Sequence, residues 1–262
     1  MSAIFIDDAL VHFEVLGRGR PVLLLHSWVG SWRYWIPSMQ SISNRYRVYA
    51  LDLWGFGDTA KTPERYSIEE QVRLLSGFIA EMGLGEVSLI GHGLGGIIAT
   101  YFAADHPQLT DRLVAISFPM GTNSIHDRLF TASIEELCTW LFGRSSGLAE
   151  ARDDAAKANP LAIVEFLAQF VQVNWRQLLL RTGVRSLWIH GGKDPAISPP
   201  PAELLQFLPE DGQHHVFENA GHFLMLDEPS KFNRLLADFL AVPVDSETNR
   251  LHLKEEWKRR VR

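Results

Sequence analysis

The chain has 262 residues, 46% hydrophobic and 21% charged, which is enough for one substantial core with an inserted subdomain and excludes disordered and collagen-like classes. Its formal net charge of -6 leaves no electrostatic footprint for nucleic acid, so the expected partner is a small organic molecule.

The start, Met1 to Leu10, is acidic and has no long apolar run, which does not fit a secretory signal. No later stretch approaches the roughly 20 apolar residues of a membrane span. A cytoplasmic protein without membrane association, monomeric or homodimeric, is expected. Ala3 to Ile6 and Leu10 to Leu16 read as two strands joined at Asp7-Asp8, an entry hairpin punctuated by Gly17 and Gly19. Apolar runs then recur at Pro21 to His26, Arg47 to Asp52, Val87 to Gly91, Leu113 to Phe118, Ser186 to His190 and His215 to Glu218. Helical patterns separate them at Ser31 to Ser43, Ser67 to Met82, Leu94 to His106, Pro200 to Phe207 and Pro229 to Phe239, with Ser67 as N-cap and Glu70 at the capping-box position. Apolar strands alternating with helices indicate an α/β chain with a mostly parallel sheet covered on both faces.

The alternation breaks between Pro119 and Thr182, where aromatic helical segments replace strands. Asn159-Pro160 is an N-cap followed by proline at the first helical position, and predicts a helix to about Arg181 carrying Phe166, Phe170 and Trp175. Helices inserted above the carboxyl edge of a sheet form a cap over a site; the same aromatics could equally fill the insert's own core. Beyond Val242 the composition turns polar and finally basic, which reads as a solvated tail. Cys138 is the only cysteine, so no intramolecular disulfide or thiolate cluster can form, and it reads as a small buried hydrophobe.

Five motifs carry the chemistry. Leu23-Leu24-Leu25-His26-Ser27-Trp28-Val29-Gly30 is a strand entering a turn, and Asp52-Leu53-Trp54-Gly55-Phe56-Gly57-Asp58-Thr59 is a glycine-rich loop whose aspartates read as structural partners. Val87 to Gly96 runs from an apolar strand through Gly91-His92-Gly93-Leu94-Gly95 into a helix, the layout of the nucleophile elbow G-x-S-x-G with Gly93 in the serine's place. Ser186 to Asp194 ends a strand with a G-x-x-D acid, and Asn219-Ala220-Gly221-His222-Phe223 carries a histidine after the last strand.

These motifs and their order, elbow then acid then histidine, resemble the α/β-hydrolase superfamily in its compact bacterial form, over about residues 1 to 243. The resemblance implies an α/β-hydrolase fold, with a core of residues 1–120 and 183–243, a helical cap of 121–182 after the sixth strand, and a tail of 244–262. It also implies a His222-Asp194 pair, an oxyanion hole from the backbone N–H groups of Trp28 and Leu94, and a pocket lined by His26, Ser27, Trp140, Phe166, Phe170, Trp175 and Phe223. Ser27 replaces the first glycine of the family's His-Gly-x-x-Gly turn, and Trp54 stands at the arginine position of its D-x-R-G-x-G-x-S loop. His92 and His26 read as hydrogen-bonded groups of their turns. His214 and His215 face opposite sides of a strand without an acidic cluster, and no metal is expected. Gly91 to Gly96 matches a dinucleotide fingerprint only in part, so no cofactor is expected either.

Glycine at position 93 removes the covalent nucleophile while easing the backbone. Three readings stay open. The chain is a serine hydrolase for an ester, lactone, amide or C–C bond, inactivated at 93, in which case Gly93→Ser restores activity. Alternatively it is a general-base enzyme working without a nucleophile, as a lyase, isomerase, cyclase or cofactor-free oxygenase. The third reading is a non-catalytic ligand-binding pseudo-hydrolase. Ser27 is the nearest substitute hydroxyl.

Overall fold

The computed structural model describes residues 2–142 and 149–242. Its strands are β1 (Ser2–Ile6), β2 (Ala9–Gly17), β3 (Arg20–Leu25), β4 (Tyr46–Leu51), β5 (Val87–His92), β6 (Thr110–Ile116), β7 (Ser186–Gly191) and β8 (Gly212–Phe217). They form one sheet in the order β1-β2-β4-β3-β5-β6-β7-β8. Strand β2 is antiparallel to β1 and β4, and every other pairing is parallel. The entry hairpin closes through Asp7 and Asp8, whose φ values of 46° and 61° fit a two-residue turn matched to strand twist.

Helices α1 (Ile36–Ile42), α2 (Ile68–Glu81) and α3 (Leu94–Asp105) lie between successive strands, and α9 (Leu224–Asp227) and α10 (Pro229–Ala241) follow β8; between β6 and β7 come α4 (Arg128–Thr131), α5 (Ile134–Phe142), α6 (Ala149–Ala155), α7 (Pro160–Phe170) and α8 (Trp175–Arg181). Helix α2 packs on α3 and α1 on α10. The interior of β3, from Val22 to Leu25, is wholly buried, as parallel strands covered on both faces require. Ser67 caps α2 by accepting the Glu70 N–H, but Glu70 turns its own carboxylate to Arg73, so only half of the capping box forms. No described helix is long and apolar enough to cross a membrane.

Three predicted helices differ from expectation. The segment predicted over Ser31 to Ser43 begins as a 3-10 turn at Trp32–Trp35, because Ser31 caps Arg33 and Pro37 withholds an N–H from the turn. The one predicted over Pro200 to Phe207 is a 3-10 turn from Ala202, since Pro199 to Pro201 hold the chain extended. The long helix expected from Pro160 to about Arg181 is two: α7 ends at Phe170, and Asn174 caps α8 by accepting the Gln177 N–H. An asparagine side chain competing for backbone N–H groups starts a helix more readily than it continues one. The expected tail of 244–262 lies outside the described residues.

The sheet order makes β3 and β5 neighbours whose connections leave in opposite directions, from β3 to β4 on one side and from β5 to β6 on the other. In open α/β sheets, ligands bind beyond the carboxyl ends of the strands at such a switch. The turn after β3 carries Ser27 and the turn after β5 carries Gly93, and the pairing of Leu25 with Gly91 sets them side by side.

Candidate active site

Gly93 keeps the sharp elbow geometry, with φ 52° and ψ -111°, its N–H donating to Ile116 C=O at 2.8 Å. The turn is tight because strand and helix touch: a Cβ on Gly91 would overlap the Gly95 carbonyl, and one on Gly95 would lie 2.5 Å from Leu25 O. Gly95 N–H donates to His26 C=O at 3.0 Å, which ties the elbow to the turn after β3. A Cβ on Gly93 would overlap Ser27 Oγ and come within 2.7 and 2.9 Å of Cζ3 and Cε3 of Trp28.

His222 Nδ1 lies 2.9 Å from Asp194 Oδ2, and both side chains are buried. The carboxylate accepts from Nδ1–H, leaving the lone pair of Nε2 free to accept a proton. At 3.0 Å from Nε2 stands Ser27 Oγ. Asp194 Oδ1 accepts from the N–H groups of Ala196 and Ile197, and Oδ2 from the Ser117 hydroxyl at 2.8 Å. Burial alone raises the Asp194 pKa, but the charge of His222 and these hydrogen bonds outweigh it and hold the carboxyl at about 2.

Ser27 is fixed from both sides. Its N–H donates to the Tyr34 hydroxyl at 2.9 Å, and that hydroxyl lies 3.0 Å from His92 Nδ1. Burial lifts the Tyr34 phenol well above its usual range, and burial followed by the charge of His222 keeps His92 neutral, so the tyrosine can donate to the imidazole while accepting from Ser27. On the other side Leu53 N–H donates to His26 Nε2 at 3.0 Å, which places the proton on Nδ1 to donate to Ser27 C=O at 2.8 Å. With both nitrogens engaged, His26 braces the turn, as expected of a hydrogen-bonded group there.

The predicted aromatics divide. Phe223 sits edge-on to His222, with centroids 5.3 Å apart, and stacks on Phe142 of α5 at 4.0 Å. Trp28 lies nearly parallel to the His222 ring at 6.2 Å. Phe170 instead meets Phe118 at 6.5 Å, and Trp140 packs with His126 and beneath Arg128. Phe166 is fully buried on α7. Trp175 lines a cavity of about 410 Å³ with Met120, Arg176 and Leu204, and none of Ser27, Gly93 or His222 lines it. Leu94 is the first residue of α3, where an N–H has no intrahelical acceptor.

Tyr34, Phe142 and Ser117 escaped the sequence reading. Ser117 had a signal only in three dimensions: it leaves β6 with φ 47°, a conformation costly for serine and found where a side chain must be aimed. Ser117→Ala should cost about 1–2 kcal/mol and raise the Asp194 pKa, moving the acid limb of stability to higher pH. Urea midpoints measured from pH 6 to pH 2 read both effects; an unchanged acid limb counts against the contact.

Among the described residues, His12, Asp52 and Asp58 bring possible metal-ligand atoms within 4.8 Å of one another. His12 Nδ1 is already 2.8 Å from Asp52 Oδ2, and Asp52 also accepts from the N–H groups of Trp32 and Asp58, so these groups hold the glycine-rich loop.

The sequence profile of the Alpha/beta hydrolase family matches residues 22–235, and the chain belongs to that family. It is 26% identical over 254 residues, 87% of each chain, to the 2-hydroxy-6-oxo-6-(2'-aminophenyl)hexa-2,4-dienoic acid hydrolase of Metapseudomonas resinovorans. It is 29% identical over 257 residues, 86% of this chain and 91% of the other, to the 2-hydroxy-6-oxo-2,4-heptadienoate hydrolase of Pseudomonas putida. In fold it is similar to the enol-lactonase of Burkholderia xenovorans, with TM-score 0.79, 18% identity, and 92% of this chain and 100% of that one covered.

Proposed function

We propose that this chain is a cytoplasmic hydrolase of small, largely apolar carbonyl compounds, working without a cofactor as a monomer or homodimer, with residues 121–182 as its cap. The observation that carries the reading is the buried Asp194-His222 pair, whose Nε2 meets a hydroxyl at the topological switch. A carboxylate held ionised behind an imidazole makes a general base, an effect typically of about 10²–10⁴-fold. The backbone N–H groups of Trp28 and Leu94 are the candidate oxyanion donors, and the buried indole N–H of Trp28, which has no acceptor, is a further polar atom for a ligand to satisfy. The substrate classes are esters, lactones and C–C bonds, a range supported by relatives named as hydrolases of 2-hydroxy-6-oxo-dienoates and by fold neighbours named as an enol-lactonase and an esterase.

An enzyme merely inactivated at 93 would leave room for the lost side chain, whereas Ser27 and the Trp28 ring occupy that room here. His222→Ala tests the reading on a panel of p-nitrophenyl esters, lactones and a 2-hydroxy-6-oxo-dienoate. Turnover of at least one class should fall by about 10³-fold or more. Equal rates in parent and variant, or no turnover of any class, would reject it.

A further inference from the structure

We propose that Ser27 is the nucleophile of this site, its hydroxyl having moved from the turn after β5 to the turn after β3. This rests on the hydrolytic reading above and names the atom that attacks. Two departures from the family's motifs, serine for glycine at 27 and glycine for serine at 93, are unrelated in sequence but meet in space. Ser27 Oγ stands where the side chain of residue 93 would begin, so the site keeps a hydroxyl in nearly the expected place, supplied by the neighbouring strand. Glycine at 93 is what gives that hydroxyl its room.

The surroundings are those of a poised nucleophile. Oγ lies 3.0 Å from His222 Nε2, within reach for proton transfer, and Asp194 stands behind Nδ1 at 2.9 Å. Tyr34 holds the Ser27 N–H and His26 holds its C=O, so the turn is fixed before a substrate arrives. With an ester, Oγ attacks the carbonyl carbon while its proton passes to Nε2. The tetrahedral oxyanion collapses with cleavage of the C–O bond, and the Nε2 proton goes to the departing alkoxide. Water then attacks the acyl-Ser27 ester, giving one proton to Nε2; that proton returns to Oγ as the acid leaves. The sum is ester plus water to acid plus alcohol. Asp194 stabilises the imidazolium in both halves.

A compact probe suits the test because Ser27 and His222 are closed from solvent. The full chain is treated with ethyl p-nitrophenyl methylphosphonate, followed by intact mass and peptide mapping. One phosphonyl group per chain on the Ser27 peptide is expected, with labelling slowed at least about 10²-fold in His222→Ala. Ser27→Ala, checked for folding by circular dichroism, should take no label and lose about 10³-fold or more in turnover. A label at another residue, turnover without a label, or a folded Ser27→Ala with parental rate overturns the proposal. If His222→Ala is inactive while Ser27→Ala works unlabelled, water is the nucleophile: the hydrolytic reading stands and this one falls. A chain that neither turns over nor labels defeats both.

Discussion

Asp194→Asn should lower kcat by about 10⁴-fold while leaving the fold intact, as loss of the acid does in other hydrolytic triads. The reason lies in which oxygen does what. Oδ1 accepts from the N–H groups of Ala196 and Ile197, so asparagine keeps its carbonyl there and turns its NH2 toward Nδ1 of His222. The imidazole must then accept at Nδ1 and carry its proton on Nε2. A protonated Nε2 cannot take a proton from Ser27 or from water. The same substitution has a pH signature. With its folded pKa held at about 2, below the usual carboxylate value, Asp194 stabilises the fold fully above about pH 4 and loses that contribution as the pH falls through 2. The parent should therefore lose on the order of 2 kcal/mol across that window, a loss missing from the asparagine variant. Turnover at neutral pH and urea midpoints at pH 6 and pH 2.5 check the two halves; retention of more than about a tenth of the activity would sink the assigned role.

The second large effect runs against the simplest sequence argument. Restoring serine at 93 reads, from the motif alone, as a repair. In the folded chain Gly93→Ser should be destabilised by roughly 2–5 kcal/mol and should gain no activity. A non-glycine residue at φ 52° is strained, and its Cβ would overlap Ser27 Oγ while pressing on the Trp28 ring. Since Trp28 is buried and lies along His222, it has little room to retreat. Urea unfolding together with an esterase assay tests both statements. A variant as stable as the parent with new esterase activity would identify the chain as a serine hydrolase lacking only its nucleophile.

Much of the framework was legible because buried parallel strands announce themselves as short apolar runs, and because Gly93, Asp194 and His222 each follow such a run. Their convergence follows from sheet order. What could not be read was lateral adjacency. Nothing between positions 27 and 93 in the chain says that their side chains compete for one space; that comes from the pairing of Leu25 with Gly91. The partners of the aromatics were illegible for a related reason. A Phe or Trp on an amphipathic helix signals burial without naming its neighbour, so Phe170 and Trp175 found Phe118 and Phe207, while Phe142, not predicted for the site, reached Phe223. His26 sits in a motif that predicts closeness to the chemistry, and it is close; its ring nitrogens are nonetheless spent on backbone.

The shared space between residues 27 and 93 also bears on how such a chain could arise. A form with serine at both positions is overcrowded, and a form with glycine at both has no hydroxyl for the histidine. Any lineage that exchanges one arrangement for the other by single substitutions crosses a strained or a silent intermediate. The two arrangements are thus separated by a fitness valley two mutations wide, which holds a lineage on whichever side it reaches.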